Sequence, residues 1–339
     1  MVAYVLIPKL AFEHRDALLE RARKSISYGC FQTRGDEVIV DPIAIEIAGM
    51  VRRIGRYSHF VAAWLANGSV VYRFAKHRAA ALSLRREACL LPRLAPHLPL
   101  KVPQPSYYEL SLEPLVAFSA HDLLLGKTLS RAQFTALGRH RQDRCAAQVA
   151  QFLAALHQSD LEWARQCDID VRDYRSYYSN VAIRFEQHMA AHIADARDCN
   201  YARSVFEEFL SEDAAHFRST ALIHADLSVP HILWDQQDAK VTAIIDFGDM
   251  IIADPASDLA GLYENYGPEF MRYLMRHSPS ADLEALLRRV YRLYELAWID
   301  WAVDVFEEQR RDDTPLVLNE LSRLRRDAPL NVWRAMLPR

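Results

Sequence analysis

Hydrophobic positions change rhythm twice along this chain of 339 residues. Between about residues 54 and 118 they come in short β-rich runs: Phe60-Val61-Ala62-Ala63-Trp64, Val70-Val71-Tyr72-Arg73-Phe74, Ser106 to Glu109, and Leu115-Val116-Ala117-Phe118. Asn67-Gly68 separates the first two runs, and Asn-Gly between such runs predicts a tight hairpin. A helix around Arg85 to Leu91 is expected to stop at the proline-rich stretch from Pro92 to Pro105. From Ser130 the period becomes helical. Ser130 offers an N-cap with Gln133 three residues on. Val149, Phe152, Leu153 and Leu156 share one face of a helix, and Ser176 to His216 reads as two or more helices. Two short apolar runs then return, Leu222-Ile223 and Val241 to Ile245, each ending near a carboxylate, Asp226 and Asp246. Asp254-Pro255-Ala256-Ser257 opens another helix. Upstream, Phe12 to about Ser25 carries Leu18, Leu19 and Ala22 at helical spacing, and Glu37-Val38-Ile39-Val40 is strand-like.

Composition narrows the class. With 51% hydrophobic and 25% charged residues the chain is ordinary globular material. A formal net charge of -3 gives no reason to expect nucleic acid as a partner. The five cysteines are scattered and odd in number, which reads as reduced cytosolic thiols. The apolar N-terminus lacks a basic segment and is interrupted by Pro8-Lys9, so a signal peptide is not expected. No run is long enough to span a bilayer. A cytoplasmic protein without membrane attachment is the resulting expectation.

The candidate chemistry sits in His224-Ala225-Asp226, His231 and Ile244-Ile245-Asp246-Phe247-Gly248-Asp249. Phosphoryl transfer needs a carboxylate to take the acceptor's proton and ligands that hold Mg²⁺ on the nucleotide phosphates. These segments offer both. Arg73 lies on a strand and Glu87 on the following helix, and such a pair clamps nucleotide phosphates in kinases. Lys76 is the alternative cation. A turn at Gly55 to Ser58 presents backbone N–H groups to phosphates or is a plain hairpin corner; both readings stand. His157 and His188 have no partner motif and read as surface or core histidines.

Three motifs together carry a family resemblance: His224-Ala225-Asp226 with His231-Ile232-Leu233, Ile244 to Asp249, and Asp254-Pro255-Ala256 with Asp258-Leu259-Ala260. The chain resembles the aminoglycoside phosphotransferases, most closely their 2″ branch, with macrolide kinases as cousins. Tyr266-Gly267-Pro268-Glu269-Phe270 and Tyr294 to Trp301 are also similar to that branch. The resemblance spans roughly residues 46 to 310. It implies an α+β, bilobal, protein-kinase-like fold with a small antiparallel β lobe (46–118), a large mostly helical lobe (119–339), and an N-terminal extension (1–45) packed on the first. It implies that Asp226, with His224 beside it, is the catalytic base, that Asp246 and His231 stand at the Mg²⁺ positions, and that Arg73 clamps phosphate with Glu87 as its partner. Ser58 would lie over the phosphates, Ala117 and Phe118 at the adenine-docking crossing, and Asp258 would support the Asp226 loop. The donor is ATP or GTP. Glu264, Tyr266, Asp300, Trp301 and Asp304 would line the acceptor cleft, and acidic groups beside aromatic faces suit a small, hydroxylated, cationic substrate such as an aminoglycoside. Arg for the usual Lys, a sparse glycine loop and a histidine near Mg²⁺ keep a second class open, a nucleotide-binding pseudokinase with a regulatory, protein-binding role; a kinase of a housekeeping metabolite such as a sugar or amino alcohol is the other alternative.

Overall fold

The computed structural model describes residues 31–34, 37–40, 51–53, 61–66, 69–112 and 115–338. The chain divides into two compact units, Met1–Leu125 with Ala243–Asp249, and Gly126–Thr242 with Met250–Arg339. The α+β class with a β-rich small unit and a mostly helical large one follows directly from the elements below. The helix at Phe12, the Asn67-Gly68 turn and Ser58 lie outside the described residues.

In unit 1, β1 (Phe31–Arg34) and β2 (Glu37–Val40) form an antiparallel ribbon with Phe31 opposite Val40. The main sheet is five-stranded and antiparallel: β3 (Val51–Arg53), β4 (Val61–Ala66), β5 (Val70–Ala75), β6 (Tyr107–Leu112) and β7 (Leu115–Asp122), in the order β3-β4-β5-β7-β6. Strand alternation sorts the two faces of β5. Tyr72 and Phe74 join Phe118 and Ala120 in one aromatic cluster, with Phe74 and Phe118 rings 5.7 Å apart. Arg73 points to the opposite face, where Ala75 and Ala117 meet helix α1 (Arg78–Leu94) through Ala80, Ala81 and Leu84. His77 caps α1, its Nδ1 accepting from the Ala80 N–H at 3.2 Å. Leu84, Leu90 and Leu91 are fully buried, and burying each such side chain stabilises by about 1.5–3 kcal/mol.

Two expectations shift here. Pro92 does not stop α1; it sits inside the last turn, and the helix runs on to Leu94, where the Ala95 N–H bonds the Leu91 carbonyl. Proline there gives up the N–H bond to the carbonyl of residue 88 and crowds it, yet the turn stays helical with Leu90, Leu91 and Leu94 fully buried. The expected lobe boundary at 118/119 falls inside β7, and the chain leaves unit 1 only after Leu125.

Unit 2 begins with β8 (Lys127–Thr128) and α2 (Arg131–Ala136). A full capping box starts α2, with Gln133 N–H on Ser130 Oγ and Ser130 N–H on Gln133 Oε1. The long helix α3 (Arg139–His157) and α4 (Leu161–Gln166) follow, then α5 (Tyr174–Arg184) and α6 (Ala196–Glu208). Next come β9 (Ala221–Ile223), β10 (Ile232–Asp235), β11 (Lys240–Ile244) and β12 (Ile251–Ala253). Strand β12 pairs with β9, and β10 is flanked by β8 and β11. Three helices finish the unit: α7 (Ala256–Arg276), α8 (Leu283–Glu307) and α9 (Thr314–Asp327). Helix α7 is broken at Gly267, whose φ of 75° and ψ of -175° lie in a region reserved for glycine. The Arg131 guanidinium lies so close there that an added Cβ would meet it at 2.4 Å.

Among the described residues no helix is long and apolar enough to cross a membrane. Cys145 and Cys199 are buried free thiols, as expected. Cys89 and Cys167 are disulfide-bonded, so the reduced-thiol expectation fails for those two.

Candidate active site

Unit 1 builds a charged bridge. Arg73, only 9% exposed, donates through Nη1 to Glu87 Oε2 and through Nη2 to Asp246 Oδ1, the latter at 2.8 Å. The cation is therefore held between two carboxylates from distant parts of the sequence. Glu87 is itself 1% exposed, and burial pushes its carboxyl up while Arg73 pulls it down. Asp246 adopts φ of 67°, a left-handed backbone that an aspartate tolerates better than most residues. After it, Gly248 lets the chain pass close to α1: an added Cβ would stand 2.9 Å from Ser83 Oγ, and Ser83 Oγ donates to the Gly248 carbonyl. Half of the Asp246 side chain's reach remains open to solvent, its relative exposure being 44%.

Unit 2 builds a pinned loop at the end of β9. Ala225 takes φ of 67°, a conformation costing about 1–3 kcal/mol for a residue with a Cβ. The buried Asp258 offsets that cost. It accepts the His224 N–H at 3.1 Å and the Ala225 N–H at 2.9 Å, and His157 Nε2 bonds it at 2.9 Å. Burial alone would raise the Asp258 carboxyl, yet the His157 bond and neighbouring donors hold it below its ordinary range. Asp226 follows, its side chain 47% exposed. Its N–H donates to His224 Nδ1 at 3.3 Å, and its carbonyl accepts from His231 Nδ1 at 2.6 Å. Ser228 Oγ lies 3.1 Å from the same His231 nitrogen.

The Asp226 loop forms one wall of a cavity of about 330 Å³. Glu264 and Asn265 come from α7, Asp300, Trp301 and Asp304 from α8, and Tyr174, Tyr177 and Tyr178 from α5. Arg172 stacks 3.9 Å over the Tyr177 ring. Tyr177 donates its hydroxyl to Asp300 Oδ2, and burial beside that carboxylate pushes the phenol up to about 12. Arg184 threads the acidic rim. It donates to Asp304 and to Glu307 and stands 3.7 Å from Asp300. Glu264 accepts no hydrogen bond among the described residues; burial, then the charges of Glu320 and Asp226, raises its carboxyl.

The expected residues fall into distinct places. Asp226, Glu264, Asp300, Trp301 and Asp304 do line one cavity. Tyr266 does not: it is 1% exposed, packed on Phe134 and Phe270, with its hydroxyl on the Leu129 carbonyl, so it is a core residue. His224 is fully buried and does not line the cavity, and its Nδ1 accepts the Asp226 N–H. Ala117 and Phe118 stand in mid-strand, Phe118 laddered to Phe74 on one side and Glu109 on the other, and cannot offer a ring-docking edge there. The segment that leaves the sheet is Leu123 to Leu125. His157 and Arg184 bond residues of the candidate site, and sequence reading misses both contacts. Nothing near them in the chain marks them: their partners Asp258 and Asp304 lie 101 and 120 residues away.

Residues 51–294 match the phosphotransferase enzyme family. Over 77 residues the chain is 32% identical to the viomycin phosphotransferase of Streptomyces vinaceus, which covers 22% of this chain and 27% of that enzyme. The matched stretch thus spans about a quarter of that relative. The GDP and kanamycin complex of APH(2″)-IIIa superposes with a TM-score of 0.76 at 25% identity, covering 82% of this chain and 93% of that one. A macrolide 2′-phosphotransferase from Brachybacterium faecium shares the fold, with a TM-score of 0.59 at 20% identity over 91% of this chain and 98% of that one.

Proposed function

Because the chain belongs to the phosphotransferase enzyme family, we propose that it is a small-molecule kinase moving the γ-phosphoryl group of ATP or GTP to a hydroxyl of an aminoglycoside-like acceptor. The observation that carries this reading is the Asp226 loop, held by Asp258 and His231 so that the carboxylate faces a cavity of about 330 Å³.

In this reading the acceptor hydroxyl enters that cavity and hydrogen-bonds Asp226. The carboxylate takes the proton as the oxygen attacks the γ-phosphorus, the bond to the β,γ-bridging oxygen breaks, and nucleoside diphosphate leaves. Arg73 grips the phosphates of the bound nucleotide, and its two carboxylate partners fix where the guanidinium points. Mg²⁺ binds through one or two carboxylates plus phosphate oxygens and water; Asp246, with one oxygen on Arg73, fits as such a ligand and would let the ion screen phosphate charge. His231 fits less well. Its Nδ1 is committed to the Asp226 carbonyl, and Mg²⁺ prefers oxygen. Its role here is to set the Asp226 backbone.

The acidic rim refines the acceptor. Arg184 already neutralises Asp304 and Glu307, and Asp300 accepts from Tyr177. Glu264 and the second face of Asp300 are what an incoming ammonium would meet. An acceptor with one or two cationic groups therefore suits this cavity better than a heavily charged one. Kanamycin, viomycin and macrolides are the acceptors that the relatives' names put first on a test panel.

The test is an acceptor screen. Purified protein, Mg²⁺ and either ATP or GTP are incubated with that panel and with hydroxylated metabolites, and nucleotide consumption is followed. Acceptor-dependent turnover that disappears in Asp226→Ala supports the kinase. Tight nucleotide binding with no turnover on any acceptor would turn the assignment to a binding protein.

A further inference from the structure

A second cavity of about 280 Å³ lies in unit 2 among α3, α7 and α8. Leu153, Leu259, Leu274, Met275 and Leu286 give it apolar walls. None of them lines the acceptor cavity. Two of its lining residues reach carboxylates around the start of α7. One is His157, whose Nε2 bonds Asp258 behind the Asp226 loop. The other is Arg289, which stands 3.4 Å from Asp254 at the start of α7.

The charge on Arg289 is only loosely matched. Its Nε is buried yet makes no hydrogen bond, so the approach to Asp254 is an ion pair without a shared proton. Asp254 is already served by backbone donors, Ala256 N–H at 2.9 Å and Arg218 N–H at 3.3 Å. Among the described residues the Arg289 side chain donates no hydrogen bond. A guanidinium in that state, at the edge of an apolar hollow, favours an anionic head with an apolar body. The volume lies just under the span of about 300–1,000 Å³ usual for drug-sized ligands, so the occupant is small.

We propose that this cavity is a second ligand site, taking a small apolar molecule with one anionic group, and that its occupancy is felt at Asp226 through His157 and Asp258. The path is short and continuous: cavity wall, His157 ring, Asp258 carboxylate, then the N–H groups of His224 and Ala225. The idea does not require the chain to be a kinase, so it stands or falls separately.

The full chain is titrated with 8-anilinonaphthalene-1-sulfonate, a fluorescent apolar anion, and the dye is displaced with octanoate or octan-1-ol. One saturable site is expected, with octanoate about tenfold the better competitor, a difference of about 1.4 kcal/mol. Ala154→Trp, at a partly buried position on the cavity wall, should weaken the dye about tenfold or more at unchanged melting temperature. Arg289→Gln should weaken the dye several-fold and erase the octanoate preference, which covers the case of a poorly folded Trp variant. Dye binding that does not saturate, or that both variants leave intact, overturns the site. Amide exchange across Leu222 to Asp226 should slow with octanoate in the wild type and stay unchanged in Ala154→Trp; equal exchange with and without octanoate in the wild type overturns the link to the loop.

Discussion

Arg73 shows what a single residue contributes at this site. Burial works against its charge, yet Glu87 and Asp246 together hold the guanidinium ionised. Removing the cation alone leaves a buried carboxylate facing no partner, which costs about 3–5 kcal/mol. Arg73→Met should therefore lower thermal stability by that order as well as nucleotide affinity. A melting temperature within error of the wild type would show that the bridge carries no weight. Asp226 predicts the opposite pattern. It is half-exposed and its loop is held through backbone bonds, so Asp226→Asn should fold normally and bind nucleotide with unchanged affinity. Its kcat should fall by about 10²–10⁴-fold, the usual range for losing a general base. Loss of nucleotide binding in calorimetry would contradict that division of labour. Legibility at this scale follows sequence distance. The His224-x-Asp226 span and Ile244 to Asp249 can be read because the chemistry sits within a few residues. His157 and Arg184 cannot, because side chains that act on a partner a hundred residues away leave no local pattern.

At the level of elements, the break in α7 and the link between α5 and α8 carry testable weight. Gly267 combines a backbone region closed to side chains with the Arg131 guanidinium overhead. Gly267→Ala should destabilise by about 1–3 kcal/mol, read as a shift in the denaturant midpoint; a midpoint unchanged from wild type would mean the kink relaxes freely. Arg184 joins α5 to Asp304 and Glu307 of α8. Arg184→Ala should release those carboxylates toward the cavity and lower KM selectively for acceptors with several ammonium groups, leaving neutral acceptors untouched. A uniform change across acceptors would place Arg184 in the scaffold alone. The helices and strands themselves are largely readable from periodicity. Tyr266 misleads because an aromatic at helical spacing looks the same whether it faces a cleft or Phe134 and Phe270. Pro92 misleads because the turn stays helical through Leu94 despite the lost N–H bond, with Leu90, Leu91 and Leu94 of that turn fully buried.

For the molecule as a whole, acid stability follows from Asp258. Its carboxyl is held below the ordinary 3.8 in the folded state. A depressed folded value means the stabilisation is complete above the unfolded pKa and disappears as pH falls through the folded one. The gap in melting temperature between wild type and Asp258→Asn should thus be steady from pH 7 to about 5 and narrow below about 4. A gap that stays constant down to pH 3 would remove the carboxylate's charge from the account.

Unit 1 is assembled from two separated stretches, Met1–Leu125 and Ala243–Asp249. During synthesis, Arg73 and Glu87 emerge from the ribosome long before their third partner. The 121 residues that follow Leu125 up to and including Asp246 take roughly 6–24 s at translation speeds of about 5–20 residues per second. Throughout that interval Arg73 and Glu87 can pair one to one, and Asp246 adds the second carboxylate only once it has emerged. A fragment truncated at Leu125 would lack Asp246 and keep only the Arg73–Glu87 half of the bridge, so trimming the C-terminus cannot isolate a complete unit 1.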